Sequence, residues 1–467
     1  MKTSRFLWMA ATLAGLFFNS CSNDDDGPNI PSIGVSSSAN SYSEGDGTVT
    51  VTFTTTETFA DDVLLVYEVS GTATSGEDFE VLSGRLTLNA GESSITESLT
   101  LIDDDTVEQQ ETIVITLVSV DGDTHFMTSG DHVTLTVTDN DSFAYENGIL
   151  VLNEGNFNAG NASISFVTND LSTVTNGIFT EVNDEALGDT AQSMAFDGDL
   201  AYIIVNNSQK VEVVNRYSFE SLGTVDTGLL TPRYIAFANG KGYVTNWGDG
   251  SNPDDDYVAV VDLENYTVES TISVPEGPEW ILANGNTVYV AHQGGFNQNN
   301  IVSIIDATSN TAKSPITVAN RPNSIQLVDD KLWVLSGGNP AWTGNETAGQ
   351  LDRINLTTNT IESTFQFGLT EHPNYLSVDG NTLYYLLGGA VFAMTSSDTV
   401  LPSSAIITGV SFYDMTVHDG KLYAVDAKDF ASNGSLEVYD LSDNSLATSL
   451  EVSLIPGAVY FNGSFEF

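Results

Sequence analysis

One short pattern recurs along the C-terminal two thirds of the chain, and it constrains the fold more than any other feature. A turn rich in Gly, Asn or Asp leads into an apolar strand around an anchor residue, as in Gly240-Lys-Gly-Tyr243-Val-Thr. The seven anchors are Val151, Tyr202, Tyr243, Tyr289, Trp333, Tyr384 and Tyr423. Successive anchors lie 39 to 51 residues apart, a period typical of β-propeller blades. The sequence therefore predicts a seven-bladed β-propeller over residues 148–467.

The repeat around Tyr243 shows the predicted order of strands within a blade. A strand over 233–237 meets an Asn-Gly turn, and the anchor strand follows. A loop leads to a third strand over 257–262, and a second turn leads to a fourth strand over 267–274. Four antiparallel strands cannot bury both faces alone, so the blades must stack around a channel. The last residues, 459–467, predict a strand that completes the ring beside the first repeat.

Residues 30–142 alternate apolar and polar residues with period two, which predicts a β-sandwich of six or seven short strands. The clearest examples are 48–53, 64–69, 85–88, 98–102, 112–117 and 133–137. Acidic residues cluster between these strands, around Glu44, Asp78, Asp103 and Asp139. Such clusters suit Ca²⁺, which takes six to eight oxygen ligands and offsets the repulsion between carboxylates.

Several separated motifs in this region resemble the Calx-β domain. They include Ser43-Glu44-Gly, Gly76-Glu-Asp78-Phe, Ile102-Asp-Asp-Asp105 and Asp139-Asn-Asp141. The resemblance implies a Calx-β (Ig-like) sandwich that binds calcium, the alternative being a domain that keeps the fold without the metal. The positions that correspond to its side-chain calcium ligands are Glu44, Asp78, Asp103, Asp104, Glu108, Glu111, Asp139 and Asp141.

The charge of the chain excludes one class of partner. Its 13 Lys and Arg stand against 63 Asp and Glu, a formal net charge of −50. Nucleic-acid binding needs basic patches, so no nucleic-acid partner is expected. The excess of carboxylates suits solubility in a salty or extracellular medium, or a domain that depends on cations.

The N-terminus predicts export. Lys2 and Arg5 precede an apolar run over 6–18, too short for a spanning helix, and residues 1–20 are therefore predicted to be a signal peptide. Ser20 before the single cysteine, Cys21, resembles a lipobox, which implies lipidation of Cys21; ordinary secretion is the alternative. Residues 21–29 form an acidic tether that resembles the signal for display on the outer face of the outer membrane, as against its periplasmic face.

Two sets of loops lie on one face of the predicted ring, those that follow the anchor strands and those that begin each blade. Both sets carry amides, aromatic rings and a few charges, as in Asn246-Trp247-Gly-Asp-Gly. Aromatic rings supply contact area and amides fix orientation, which suits a polar organic ligand. The residues predicted to bind it are Asn153, Phe157, Arg233, Tyr234, Trp247, Trp280, His292, Phe296, Trp342 and Tyr375.

This channel mouth leaves two alternatives open. Tyr234, Trp280 and Tyr375 equally suit packing between blades. The mouth also carries four carboxylates, Glu154, Asp249, Glu279 and Asp414, and paired carboxylates serve glycoside hydrolysis or lyase chemistry. The five histidines show no metal-ligand spacing, and no nucleophile motif is present. The prediction is therefore a binding module, with a propeller hydrolase or lyase as the alternative.

The ring resembles the YVTN/YncE-like propellers, as in Gly242-Tyr-Val-Thr-Asn246. Val151-Leu-Asn-Glu-Gly-Asn156, with the lipobox, resembles surface propeller lipoproteins of outer-membrane uptake systems, some of which capture cobalamin. The resemblance implies a small organic ligand, a TonB-dependent transporter as partner and attachment to the membrane through the lipid. The alternative is an adhesin or spacer that binds a protein or glycan.

Overall fold

The structure is a computed structural model that describes residues 32–121, 130–295 and 297–465. The chain divides into two compact units, residues 1–141 and 142–467. The predicted signal peptide, tether and Cys21, and the predicted mouth residue Phe296, lie outside the described residues. No helix in the described ranges is long and apolar enough to cross a membrane.

The first unit is a β-sandwich, as predicted, with eight described strands where the sequence predicted six or seven. Its described strands are Ile33–Ser37, Ser41–Ser43, Thr48–Thr55, Val63–Gly71, Arg85–Leu88, Ser94–Thr100, Glu111–Val120 and His132–Thr138. The first, third and sixth of these form one sheet, and the other five form the second. A single 3₁₀ turn, Glu44–Asp46, follows the second strand. Alternate residues of each sheet, such as Val51 and Ile113, face the core between the sheets, which explains the period-two pattern.

The second unit contains seven four-stranded antiparallel sheets, which we call blades 1 to 7. Their strands, from the innermost outward, are for blade 1 Pro456–Asn462, Gly148–Asn153, Ser163–Thr168 and Val174–Asn176; for blade 2 Ala191–Asp197, Leu200–Val205, Lys210–Asn215 and Ser221–Val225; for blade 3 Pro232–Ala238, Lys241–Asn246, Tyr257–Asp262 and Thr267–Ser273; for blade 4 Pro278–Asn284, Thr287–His292, Ile301–Asp306 and Thr311–Thr317; for blade 5 Pro322–Val328, Lys331–Ser336, Gln350–Asn355 and Thr360–Gln366; for blade 6 Asn374–Asp379, Thr382–Leu387, Ala390–Thr395 and Ile407–Thr408; and for blade 7 Asp414–His418, Lys421–Asp426, Asn433–Asp440 and Ser445–Leu454. Its described residues also form a short α-helix, Ile178–Asn183, and a 3₁₀ turn, Ala341–Thr343.

The C-terminal strand closes the ring, as the sequence predicts. Pro456–Asn462 pairs with Gly148–Asn153 and becomes the innermost strand of blade 1. Side chains fix its end, because the Asn462 amide donates to the carbonyl oxygens of Tyr145 and Arg216, at 2.7 Å each. The innermost strands then contact one another all the way round the channel.

The apolar repeats in the sequence are the two middle strands of each blade. In Lys241–Asn246 every residue after the first is buried, whereas the outermost strand, Thr267–Ser273, is mostly exposed. Both faces of a middle strand pack against neighbouring blades, which explains the continuous apolar runs. The aromatic anchors also join blades through their hydroxyl groups. Tyr243 donates to Asn310 in blade 4 at 2.7 Å, and Tyr289 donates to Asn359 in blade 5 at 3.2 Å.

Glycine is required at two turns with the same backbone conformation and different surroundings. Gly240 and Gly277 both have φ of +70°. A Cβ at Gly240 would meet nothing within 4 Å, whereas a Cβ at Gly277 would overlap the backbone of Gly294. Gly277 therefore allows the loop that begins blade 4 to cross closely over the loop that follows its anchor strand.

These two glycines form a matched pair for mutation. Gly240→Ala should cost about 1 kcal/mol of stability, which is the strain of a left-handed alanine. Gly277→Ala should cost roughly 3 kcal/mol or more, because backbone must move as well. The measurement is thermal unfolding followed by tryptophan fluorescence. Equal losses in the two variants would contradict the close crossing of the two loops.

Candidate functional site

The channel mouth is built by irregularities in the innermost strands. Pairing with the second strand shifts register near the start of six of the seven innermost strands, those of blades 1 to 6. A β-bulge of this kind re-aims the side chains that it contains. Side chains of the bulged segments, among them Gln192, Tyr234, Trp280, Asn323 and Tyr375, line one cavity. Four of these strands begin with proline, a residue that is tolerated where a strand starts or bulges.

The mouth cavity, as we call it, has a volume of about 190 Å³. All its lining residues belong to the propeller: Glu154, Gln192, Tyr234, Glu279, Trp280, Gln293, Asn323, Asn374, Tyr375, Tyr413, Asp414, Gly457, Ala458 and Tyr460. A second cavity of about 320 Å³ continues down the channel and shares Tyr234, Trp280, Tyr375, Asp414 and Tyr460 with the first. Together the two cavities are in the size range of small-molecule sites.

Two carboxylates of the mouth cavity, Glu154 and Asp414, are half-buried and have raised pKa values. Burial raises the pKa of Asp414 to about 7, and the charge of Glu154 adds to this rise. Burial also raises the pKa of Glu154, against the lowering effects of the Tyr413 hydroxyl and Arg233. The Tyr413 hydroxyl donates to both oxygens of Glu154, at 3.2 and 3.3 Å.

The third carboxylate, Glu279, is neutralised by an ion pair. Arg233 donates to it through two nitrogens, at 2.8 and 3.0 Å, and their side chains are only 15% and 7% exposed. The Arg233 guanidinium also lies 4.2 Å from the ring centroid of Trp247. The indole nitrogen of Trp247 donates to the Pro278 carbonyl at 3.1 Å. Arg233 and Trp247 therefore support the wall behind the mouth cavity and do not line it.

The predicted mouth residues fall into three groups. The first group lines the mouth cavity and consists of Tyr234, Trp280 and Tyr375. Tyr234 and Trp280 stack on each other, with ring centroids 4.5 Å apart, so they serve packing and the cavity wall at once. The second group, Arg233 and Trp247, lies behind that wall.

The third group lies elsewhere. Asn153 and His292 end anchor strands, where the side chain turns into the blade; both are fully buried, and burial lowers the pKa of His292 to about 4. Phe157 and Trp342 are 69% and 76% exposed on long loops and do not line the mouth cavity. The carboxylate of Asp249 is likewise exposed and outside it.

One part of the mouth was not identified from the sequence. Gly457, Ala458 and Tyr460 of the closing strand form the wall contributed by blade 1. The sequence does contain a pattern that predicts this wall. The innermost strands of blades 3 to 5 each begin with proline, as in Thr231-Pro232, and Ile455-Pro456 repeats that pattern. Ile455 and Thr231 also share a positive φ, of 54° each.

In the sandwich unit, six of the eight predicted metal ligands form two groups. Glu44, Asp139 and Asp141 form one, Asp78, Glu108 and Glu111 form the other, and the possible ligand atoms of each group lie within 4.8 Å of one another. One oxygen of Asp141 is buried without a hydrogen-bond partner. A cation would satisfy that oxygen and offset the repulsion, so these residues fit a metal ion.

The other two predicted ligands, Asp103 and Asp104, lie outside these two groups and bind nearby groups of the protein. Asp103 accepts a hydrogen bond from the Asn140 amide at 3.1 Å. Asp104 accepts one from the backbone N–H of Thr106 at 2.7 Å. Asn140 thereby links the Asp103 loop to the first metal-ligand group, since its backbone N–H also approaches Glu44, at 3.4 Å.

The metal-ligand groups make stability depend on pH when no cation is bound. Burial, with neighbouring carboxylates, raises the pKa of Glu44 and of Glu111 from 4.5 to about 7. The folded state then holds these protons more tightly than the unfolded state. With divalent cations chelated, the melting temperature of the sandwich should fall as the pH rises from about 4.5 to 7.

Calorimetry tests this dependence in the whole protein. All the tryptophans of the described residues lie in the propeller, so tryptophan fluorescence reports the unfolding of the propeller. A transition that calorimetry records and fluorescence does not is then the unfolding of the sandwich. The Glu44→Gln, Glu111→Gln double variant removes the two carboxyl groups with raised pKa and leaves the other charges of the chain in place. The melting temperature of its sandwich should therefore fall less steeply as the pH rises. An equal slope in both proteins would contradict the assignment.

Two family models match the chain. The Calx-beta domain model matches residues 25–141, which confirms the predicted Calx-β domain, and a model described as "Domain of unknown function (DUF5074)" matches residues 147–432.

Solved structures that are similar to the chain include three proteins of low sequence identity. Dihydro-heme d1 dehydrogenase NirN in complex with DHE is 10% identical, over 69% of this chain and 76% of that chain, with a TM-score of 0.44. Apo AztD from Citrobacter koseri is 11% identical, over 68% and 98%, with a TM-score of 0.44. The computationally designed Ika8 protein is 9% identical, over 68% and 97%, with a TM-score of 0.45.

Proposed function

We propose that the propeller captures a polar organic ligand in its mouth cavity without transforming it. The chain belongs to the DUF5074 family, which is described as a domain of unknown function. The observation that carries this proposal is the composition of the cavity wall. Bulged strands bring the rings of Tyr234, Trp280 and Tyr375 together with the amide of Gln192, and the amide of Gln293 lines the same cavity. Rings offer rigid contact area and amides bind a ligand's polar groups, which is the usual chemistry of a small-molecule site.

The proposed setting of this capture site is the cell surface. The lipobox at Cys21 and the acidic tether after it support a lipid-anchored protein of the outer membrane, facing outward. A binding protein at that position would deliver its ligand to a TonB-dependent transporter, and cobalamin is one ligand to test. The Calx-β sandwich would act as a calcium-binding stalk between the anchor and the propeller.

The exposed aromatic residues favour a second candidate function, the recognition of a protein or glycan. Phe157 and Phe430 lie on the loops after the anchor strands of blades 1 and 7, which are joined by a hydrogen bond from Asn156 to the Phe430 carbonyl at 3.0 Å. Exposed aromatic side chains are common at binding surfaces. An adhesin would use this surface in place of the mouth cavity, and binding to whole cells but to no small molecule would favour it.

Trp280 is the residue that tests the capture function. Isothermal titration calorimetry of the purified protein against cobalamin, haem and oligosaccharides begins the search for its ligand, and Trp280→Ala should weaken the binding of any ligand that is found. Truncating a buried aromatic contact costs about 2 kcal/mol, or roughly thirty-fold in affinity. Trp342→Ala is the matched control, because that ring is exposed and outside the mouth cavity.

Two results would change the proposal. Undiminished binding by Trp280→Ala would move the site away from the mouth cavity. Turnover of an oligosaccharide during the titration would instead indicate the hydrolase or lyase alternative. Unchanged thermal unfolding of the variant would show that lost binding does not reflect lost folding.

Calcium is the cation that we propose for the two metal-ligand groups. Calcium binding only to the folded sandwich should stabilise it by about 2.7 kcal/mol at a hundred-fold excess over Kd, which is on the order of 10 °C in melting temperature. Calorimetry should show the shift in the sandwich transition and no shift in the transition followed by tryptophan fluorescence. The same shift in the Glu44→Gln, Glu111→Gln variant would contradict these ligands.

A further inference from the structure

We infer that the ligand of the mouth cavity is an organic cation, either a quaternary ammonium or a protonated amine, held between aromatic rings and the carboxylates of Glu154 and Asp414. This inference rests on the proposed capture function and specifies the chemical class of the ligand. It follows from the charge balance of the cavity, from the arrangement of its rings and from the cost of burying its carboxylates.

The charge balance of the mouth cavity is negative. Its lining includes three carboxylates, those of Glu154, Glu279 and Asp414, and no Lys, Arg or His within the described residues. Arg233 behind the wall forms its ion pair with Glu279. Two carboxylates therefore face the cavity without an ion-pair partner in the part of the chain that the structure describes.

Aromatic rings share the mouth cavity with these two carboxylates. Tyr234, Trp280, Tyr375, Tyr413 and Tyr460 line it together with Glu154 and Asp414. Burial raises the pKa of Tyr375 and of Tyr460, and the charge of Asp414 adds to both rises. The hydroxyl of Tyr460 already accepts a hydrogen bond from the Met194 backbone N–H at 2.8 Å. The faces of such rings attract cations, and rings around an ammonium group are a recurrent way to bind one.

Burial of Asp414 is costly without a cation. Within the described residues, it accepts one hydrogen bond, from the backbone N–H of Met415 at 2.7 Å. A buried charge is tolerated when it is paired, and an organic cation in the cavity would pair with it while covering the surrounding rings. A neutral ligand would leave the carboxylate unpaired, and an anion would be repelled by both Asp414 and Glu154.

The binding of a cation should depend on pH through Asp414. The titratable or charged groups around it are Glu154, Tyr234, Arg233, Tyr375, Tyr413 and Tyr460. The tyrosines stay neutral in this range because burial raises their pKa, and Arg233 stays charged in its pair with Glu279. Since burial raises the pKa of Asp414 to about 7, affinity for a cation should fall about tenfold from pH 8 to pH 6.

The experiment compares choline with 3,3-dimethylbutan-1-ol, in which carbon replaces the charged nitrogen and the shape is kept. Isothermal titration calorimetry of the calcium-loaded protein at pH 8 should show choline binding at least tenfold more tightly than the alcohol. Agmatine, a protonated amine, extends the comparison to the second cation type. Asp414→Asn should weaken binding of the cations about tenfold or more and leave the alcohol unchanged, because it removes a charge and keeps the size.

Asp249→Asn is the matched control, since that carboxylate is exposed and outside the mouth cavity; it should bind choline as the unaltered protein does. Equal binding of choline and the alcohol would overturn the inference. So would binding of a neutral or anionic compound that depends on Trp280, if neither choline nor agmatine binds. In both cases the capture function would still stand. If binding of every probe is absent or indifferent to Trp280→Ala, the capture function fails as well.

Discussion

Closure of the ring by the C-terminal strand is the interaction on which the rest of the propeller depends. Without Pro456–Asn462, the second strand of blade 1 would expose its inner edge, a row of unpaired backbone groups at the channel. The same strand fixes the junction of the first two blades. Its Tyr460 hydroxyl accepts the Met194 N–H of blade 2, and the Arg216 side chain donates to the Phe461 carbonyl at 3.2 Å. It also lines the mouth cavity, so the strand that closes the ring is the one that completes the wall of the site.

The stacked blades provide the stability that the mouth needs. Middle strands such as Lys241–Asn246 bury almost every residue, and the anchor hydroxyls bridge neighbouring blades. This rigid ring can hold features that are unfavourable alone: strand bulges, the left-handed Tyr375 with a φ of 56°, and the half-buried carboxylate of Asp414. Such features cluster at functional sites because a stable scaffold is required to maintain them. The proposed binding site therefore contains strained and half-buried groups that the stable ring holds in place.

The sequence predicted what depends on period and turn chemistry. Seven anchors gave seven blades, and Asn239-Gly240 and Asp419-Gly420 form turns with two positive φ values, as hairpins prefer. It could not predict where a side chain points after a bulge. One extra residue in a strand reverses the direction of the side chains that follow it. Arg233 and Tyr234 both lie in such a bulge, and the sequence does not show that only Tyr234 lines the cavity. Asn153 and His292 are polar and directly precede loops, as mouth residues would, but each still belongs to a buried strand.

The two units meet the same electrostatic problem in different surroundings. In the sandwich, Glu44, Asp139 and Asp141 are close to other carboxylates and to backbone N–H groups, such as that of Glu108, which donates to Asp139. Closely spaced oxygens of this kind suit a small, hard cation. In the propeller, Glu154 and Asp414 share the mouth cavity with tyrosine and tryptophan rings. The faces of such rings suit a larger organic cation better than calcium. The neighbours of the carboxylates, more than the carboxylates themselves, thus determine which cation each site suits.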